Sequence, residues 1–145
     1  VWIAGCLGLR PSEIMPLKWS DFDLEAGTLL IDRGMVHGRE GDVKTEYSND
    51  LVPLDEALIE VILEHRKAWF KSEEDWVFAN PKTGRPYHQD SIQQDHIRVA
   101  AKKAGLGDGI GWKVFRHSYR SWMDKTNAPM TVQKSLCDMP ASRRR

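Results

Sequence analysis

Three short basic clusters carry most of the chemistry this sequence can offer. The first is Gly8-Leu9-Arg10-Pro11-Ser12-Glu13, an arginine at a corner between two helical runs with a carboxylate three residues on. The second is Lys44-Thr45-Glu46, between two segments that read as strands. The third is Lys113-Val114-Phe115-Arg116-His117-Ser118, where Lys113 and Arg116 stand three apart and so share one face of a helix. A guanidinium is always protonated and offers paired N–H donors to carboxylate or phosphate oxygens, whereas an ammonium is a point charge that can give up a proton. A polyanionic partner suits such groups. Taken singly, each cluster is also what an ordinary surface shows: a corner with a local ion pair, a polar hairpin, a solvated stripe. None of the five histidines has metal-ligand spacing, and two distant cysteines, Cys6 and Cys137, make neither a disulfide framework nor a four-ligand zinc site. No metal and no cofactor is expected.

These clusters must be held by the elements between them. The apolar run from Val1 reads as a helix ended by Gly8, where a left-handed residue closes the last turn. Pro11 suits the first position of a second, short helix, with Ile14, Leu17 and Trp19 as its apolar side. Asp21 to Gly27 reads as a polar turn. Strands are expected at Thr28–Asp32, Met35–His37 and Asp50–Leu54, separated by loops rich in Gly, Asp and Asn, and together they predict a small antiparallel sheet. Asp55 can cap a helix to about Lys71, with Leu58, Ile62, Leu63 and Trp69 at helical spacing. Trp76-Val77-Phe78 is a short extended segment leading into the Asn80–Pro86 turn. Asp90 is expected to cap a helix from Ser91 to Ala104, ended by Gly105. Gly111 precedes another helix, about Lys113 to Lys125, and Pro129 begins a last one. The fold class implied is α+β, mainly helical, in one domain spanning residues 1–145.

Composition supports that frame. The chain has 145 residues, 41% hydrophobic and 29% charged, a globular profile. Its opening apolar run of nine residues, Val1 to Leu9, is half of the roughly 18 that suggest a membrane span. With no basic leader it does not read as a signal peptide, and a cytoplasmic setting with no membrane partner is expected. The run begins in mid-pattern, so the chain reads as an interior piece of a longer protein. Net charge is zero, but unevenly spread: residues 1–97 hold 10 basic and 18 acidic side chains, residues 98–145 hold 11 basic and three acidic. That polarity points to a polyanion on one side, though the overall balance is not that of a strongly basic nucleic-acid binder.

In this order the three clusters resemble the catalytic domain of the tyrosine recombinases, the phage-integrase family, over about residues 2–136. Gly8–Glu13 with Leu17-Lys18-Trp19-Ser20-Asp21 is similar to the family's first-arginine box. Lys44–Ser48 ahead of Leu51-Val52-Pro53-Leu54 is similar to its hairpin lysine, and Phe115-Arg116-His117-Ser118 to its second-arginine box. The resemblance implies a fold with a small antiparallel sheet, a double-stranded DNA partner and further recombinase protomers in a synaptic complex. It also implies roles: Arg10 and Arg116 hold the non-bridging oxygens of a phosphodiester as negative charge builds on phosphorus, and Lys44 protonates the departing 5′-oxygen. Glu13 would orient Arg10, and His117 would buttress Arg116. Lys113 stands where the family usually has histidine and still offers a positive donor.

The chain departs from the family at its end. A nucleophilic tyrosine belongs after the second box, and none of Tyr47, Tyr87 and Tyr119 stands there; Tyr119, one turn past Arg116, is expected to pack in the core. Members often continue after the leucine at 136 as Met-Arg-His-Ala-Ser-Ile-Ala-Thr-Thr. Written in ordinary codons and read one base out of register, that continuation gives Cys-Asp-Met-Pro-Ala-Ser-Arg-Arg, the sequence at 137–144. Residues 137–145 are therefore expected to be out of frame. The function implied is a fragment of a site-specific recombinase catalytic domain that grips DNA phosphate without cleaving alone. The alternatives are a non-enzymatic DNA-binding module and the non-functional product of a decayed gene.

Overall fold

The computed structural model describes residues 1–36, 39–42 and 50–126. Its first helix, α1 (Trp2–Leu7), buries Ile3, Ala4 and Leu7 along one side. It ends at Gly8, as the sequence predicts: φ is 64° and ψ 17°, and the Gly8 N–H reaches the Ala4 carbonyl at 3.2 Å. A left-handed residue with no Cβ adopts this without steric cost. The next helix, α2 (Pro11–Ile14), begins on its proline and lasts one turn. Leu17 and Trp19 lie beyond it, Trp19 opening a 3₁₀ turn over Trp19–Asp21, but both are buried as their pattern requires.

Five short strands follow: β1 (Phe22–Asp23), β2 (Thr28–Ile31), β3 (Arg33–Val36), β4 (Arg39–Asp42) and β5 (Asp50–Pro53). The predicted antiparallel sheet is present, in the order β1-β2-β5, with Phe22 opposite Leu29 and Leu29 opposite Val52. Two details differ from the sequence reading. Asp21–Gly27 is not all turn, since Phe22 and Asp23 pair with Leu29 and Thr28. The strand read at 35–37 also does not join that sheet; it is β3, paired with β4 in a separate hairpin. Leu29 and Ile31 alternate inward along β2, which puts the sheet's apolar face on the core.

Asp55 caps α3 (Glu56–Trp69) as expected, its Oδ1 accepting the Ala57 N–H at 2.9 Å. Leu58 and Ile62 are buried; Leu63 and Trp69, which share the predicted helical spacing, are instead 41% and 51% exposed. Trp19 lies at the centre of the core, its ring 6.3 Å from Phe22, 6.0 Å from Phe70 and 5.7 Å from His65. The chain after α3 returns along the Leu17–Trp19 segment, with Val77 N–H bonded to the Leu17 carbonyl at 2.9 Å.

The long helical run after the Asn80–Pro86 turn has three parts: α4 (Gln89–Ser91), a π-helical segment (Ile92–Ile97) and α5 (Arg98–Lys103). Its cap is His88, whose Nδ1 accepts the Asp90 N–H at 3.3 Å, so Asp90 sits inside the first turn rather than capping it. Gly105 follows at φ 72°, ending the run where the sequence places its stop. The last described helix, α6 (Trp112–Lys125), starts after Gly111 and packs against α1. The helix expected from Pro129, residues 137–145, Tyr47 and the Lys44 cluster lie outside the described residues. No helix among the described residues is long and apolar enough to cross a membrane.

Candidate functional site

Arg10 is held at the mouth of α2 by its own backbone and by Glu13. Glu13 Oε2 accepts the Arg10 backbone N–H at 2.7 Å, and Oε1 lies 3.1 Å from Arg10 Nη1. This is half of a capping box, since an arginine side chain has no acceptor to complete the other half. The Glu13 side chain is only 9% exposed while that of Arg10 is 40% exposed, so the carboxylate is fixed inside and the guanidinium faces outward. A cation fixed at one root and open at its tip can meet an anion from solvent.

Arg116 lies in the second turn of α6, more than a hundred residues away. Its Nη1 donates to the Gly8 carbonyl at 2.7 Å. Gly8 is two residues before Arg10, so the second arginine is brought to the corner that carries the first. The left-handed turn at Gly8 is what aims that carbonyl away from α1 and leaves it to a side chain. The local sequence accounts for the rest: Trp112 is buried and Phe115 partly so, which docks one side of α6, while Lys113 and His117 stay exposed. Lys113, Arg116 and His117 stand at i, i+3 and i+4, which is one side of the helix.

Of the six residues the sequence singles out, Arg10 and Glu13 touch directly, and Arg116 reaches the carbonyl two residues before Arg10. Lys113 and His117 are exposed on the same helix as Arg116, and among the described residues no hydrogen bond or ion pair joins either to Arg10 or Glu13. Lys44 lies outside the described residues. Tyr119 is partly buried rather than fully inside the core, and Tyr87 packs edge-on to His96 at 5.9 Å. Among the described residues no group of three or more His, Cys, Asp or Glu side chains could hold a metal ion.

Two supports of this corner escaped the sequence reading. One is an ion pair: Arg33 Nη2 lies 2.6 Å from Asp21 Oδ1 and Nη1 3.2 Å from Oδ2, while Nη1 also reaches the Pro16 carbonyl at 3.3 Å. It ties the hairpin β3–β4 to the segment just after α2. Burial pushes the Asp21 carboxyl above its ordinary range, against the pull of the Lys18 N–H and of Arg33. Burial also works against the Arg33 charge, yet Asp21 and Asp32 together hold it more firmly protonated than usual. The other support is Gln93. Its Oε1 accepts the Trp112 backbone N–H at 3.3 Å, capping α6 from a different element, and the Trp112 indole N–H donates to the Gln89 carbonyl at 3.0 Å. Gln93 lies in the π-helical segment, a widening of the helix that often accompanies function. Hydrophobic periodicity carries no signal for either device; a buried aspartate twelve residues before an arginine is visible only once the strands are placed.

Solved structures of similar shape include recombinases and integrases. The Tn1549 transposon integrase in complex with a circular intermediate DNA matches with a TM-score of 0.79 at 15% identity, over 93% of this chain and 48% of that one. The XerA recombinase matches at 0.73 and 18% identity, over 97% and 47%. The XerH site-specific recombinase bound to a difH substrate matches at 0.64 and 22% identity, over 97% and 38%. The chain therefore spans about half the length of the solved structures it matches, and at these identities they establish its fold, that of the recombinase catalytic domain. No curated protein matches its sequence. The model of the phage integrase family matches residues 3–137, nearly the whole chain, and takes in all three basic clusters in order. On that match, and with the fold in agreement, the chain belongs to the phage integrase family.

Proposed function

We propose that these residues form the phosphate-gripping part of a site-specific DNA recombinase's catalytic domain, acting on double-stranded DNA in the cytoplasm beside further recombinase protomers. The observation that carries the proposal is the bond from Arg116 to the Gly8 carbonyl, which puts a second guanidinium at the corner of Arg10. Attack on a phosphodiester builds negative charge on the non-bridging oxygens of a pentacoordinate phosphorus. Two permanent cations fixed beforehand stabilise that charge without reorganising. In this reading Glu13 orients Arg10, and Lys113 and His117 flank Arg116 on the exposed side of α6. Lys44 gives its proton to the 5′-oxygen as the bond to phosphorus breaks.

The nucleophile is not among Tyr47, Tyr87 and Tyr119, so in this proposal the 145 residues alone bind DNA without forming a covalent phosphotyrosyl bond. The out-of-frame reading of residues 137–145 belongs to the same proposal, and the family match ending at residue 137 supports it. Coding DNA tests it: one base restored before Cys137 should give a His-Ala-Ser continuation and a downstream tyrosine, and the absence of both refutes it.

Binding to a short DNA duplex at low salt tests the grip itself. Arg10→Ala and Arg116→Ala should each weaken it by about tenfold, the worth of one charge-assisted hydrogen bond. Duplex affinity unchanged in both variants would overturn the proposal.

A further inference from the structure

We infer that Gly8 is the gauge that sets Arg116 against Arg10, because α6 docks on that glycine through the ring of Tyr119. The functional consequence rests on the phosphate-grip reading above; the geometry does not. A positive φ alone asks for glycine at a helix end, and five glycines among the described residues have one: Gly8, Gly27, Gly84, Gly105 and Gly107. At four of them a Cβ would meet open space or ordinary contact, the nearest atom being 3.7 Å away at Gly27 and none within 4 Å at the others. At Gly8 a Cβ would lie 2.4 Å from Tyr119 Cδ1 and 3.0 Å from Cε1 and Cγ. Helix capping explains the first demand and leaves the second unexplained.

The second demand comes from the helix that carries Arg116. Tyr119 and Arg116 are three residues apart and lie on one side of α6. Tyr119 takes the α-carbon of Gly8 and Arg116 takes its carbonyl oxygen at 2.7 Å, so a single residue is held from two directions by one helix face. Arg10 follows two residues later, with its backbone fixed by Glu13. Any shift of α6 away from Gly8 is therefore a shift of one guanidinium relative to the other. Gly8 acts through Arg116 and touches no substrate, so its role is to position.

The test follows the Arg116 guanidinium directly, by NMR of arginine-labelled protein, alongside duplex affinity. In the wild type the bond to Gly8 should slow rotation of the guanidinium and keep its N–H signals resolved. Gly8→Ala should broaden those signals and lower duplex affinity about tenfold, the loss of one charge-assisted bond. Gly8→Ala combined with Tyr119→Leu makes room for the methyl group and should restore both. Gly84→Ala introduces the same backbone strain at an uncrowded site and should leave Arg116 unchanged. Should Gly8→Ala fail to fold, Tyr119→Leu alone, which leaves a gap beside an unstrained glycine, should broaden the Arg116 signals. Arg116 signals as sharp as the wild type's in Gly8→Ala or in Tyr119→Leu, or no recovery in the double variant, overturn the inference. A wild type with resolved Arg116 signals and no affinity for duplex would instead overturn the phosphate-grip reading and leave the gauge standing.

Discussion

Each oxygen of the Glu13 carboxylate has its own partner, the Arg10 backbone N–H on one side and the Arg10 guanidinium on the other. The two bonds differ in worth. The backbone bond satisfies one of the orphan donors at the start of α2 and is mostly buried, so it stabilises the turn by about 1 kcal/mol. The ion pair reaches a side chain that is 40% exposed and is screened by water, so it adds less to stability and more to the direction of the guanidinium. Glu13→Ala should therefore cost about 1 kcal/mol in urea unfolding. Glu13→Gln, whose amide oxygen can still accept the backbone N–H, should cost less while weakening the duplex as Arg10 loosens. A fully stable Glu13→Ala variant would show that the cap is unimportant here. The sequence shows this pair directly, because the spacing of three residues across a proline-started helix is a local signal.

The hairpin β3–β4 depends on a longer reach. Arg33 at its root is locked to Asp21, both largely buried, and removing one partner of such a pair leaves an uncompensated charge. Arg33→Met should cost about 3 kcal/mol at neutral pH. The sign of the pH dependence follows from the direction at Asp21. A carboxyl whose folded pKa is raised contributes stability that is whole below its unfolded value and falls away as pH rises through the folded one. In Arg33→Met the Asp21 carboxyl loses its counter-charge and rises further, so the deficit should shrink as acidification protonates the group. Urea titrations of wild type and variant at neutral and acid pH measure this; a deficit that grows on acidification contradicts it. These elements also mark where the sequence stops being legible. Alternation at Leu29 and Ile31 made β2 readable, and Asp55 made the start of α3 readable. β1 is two residues inside a polar stretch, and β4 is Arg39-Glu40-Gly41-Asp42 with no apolar alternation, so their pairing rests on backbone bonds that no pattern announces. The π-helical segment is equally silent, since one extra residue in a turn barely disturbs a helical period. At the corner itself the residue types of Arg10 and Arg116 were readable, whereas the Gly8 carbonyl that joins them belongs to the fold.

Charge is distributed so that the C-terminal part presents the cations. Arg98, Lys102 and Lys103 on α5 and Lys113, Arg120 and Lys125 on α6 are exposed, while α3 presents Glu56, Glu60 and Glu64. In the proposed grip these are the cations that a polyanion would meet. A small number of phosphate contacts gives weak affinity that falls with salt in proportion to that number, because each contact releases condensed counterions. Filter binding across a salt series should show weak, sequence-independent binding to duplex DNA; nanomolar affinity insensitive to salt would contradict a grip of few phosphate contacts.

A double-mutant cycle on duplex affinity tests most directly whether Arg10 and Arg116 share one phosphoryl group. Arg116 bonds the carbonyl two residues before Arg10, so in the proposed grip losing either should disable the other in part. The account predicts that the combined Arg10→Ala and Arg116→Ala variant loses less than the sum of the two single losses, by about 1 kcal/mol or more. Losses that simply add would place the two guanidiniums on separate phosphates and contradict it.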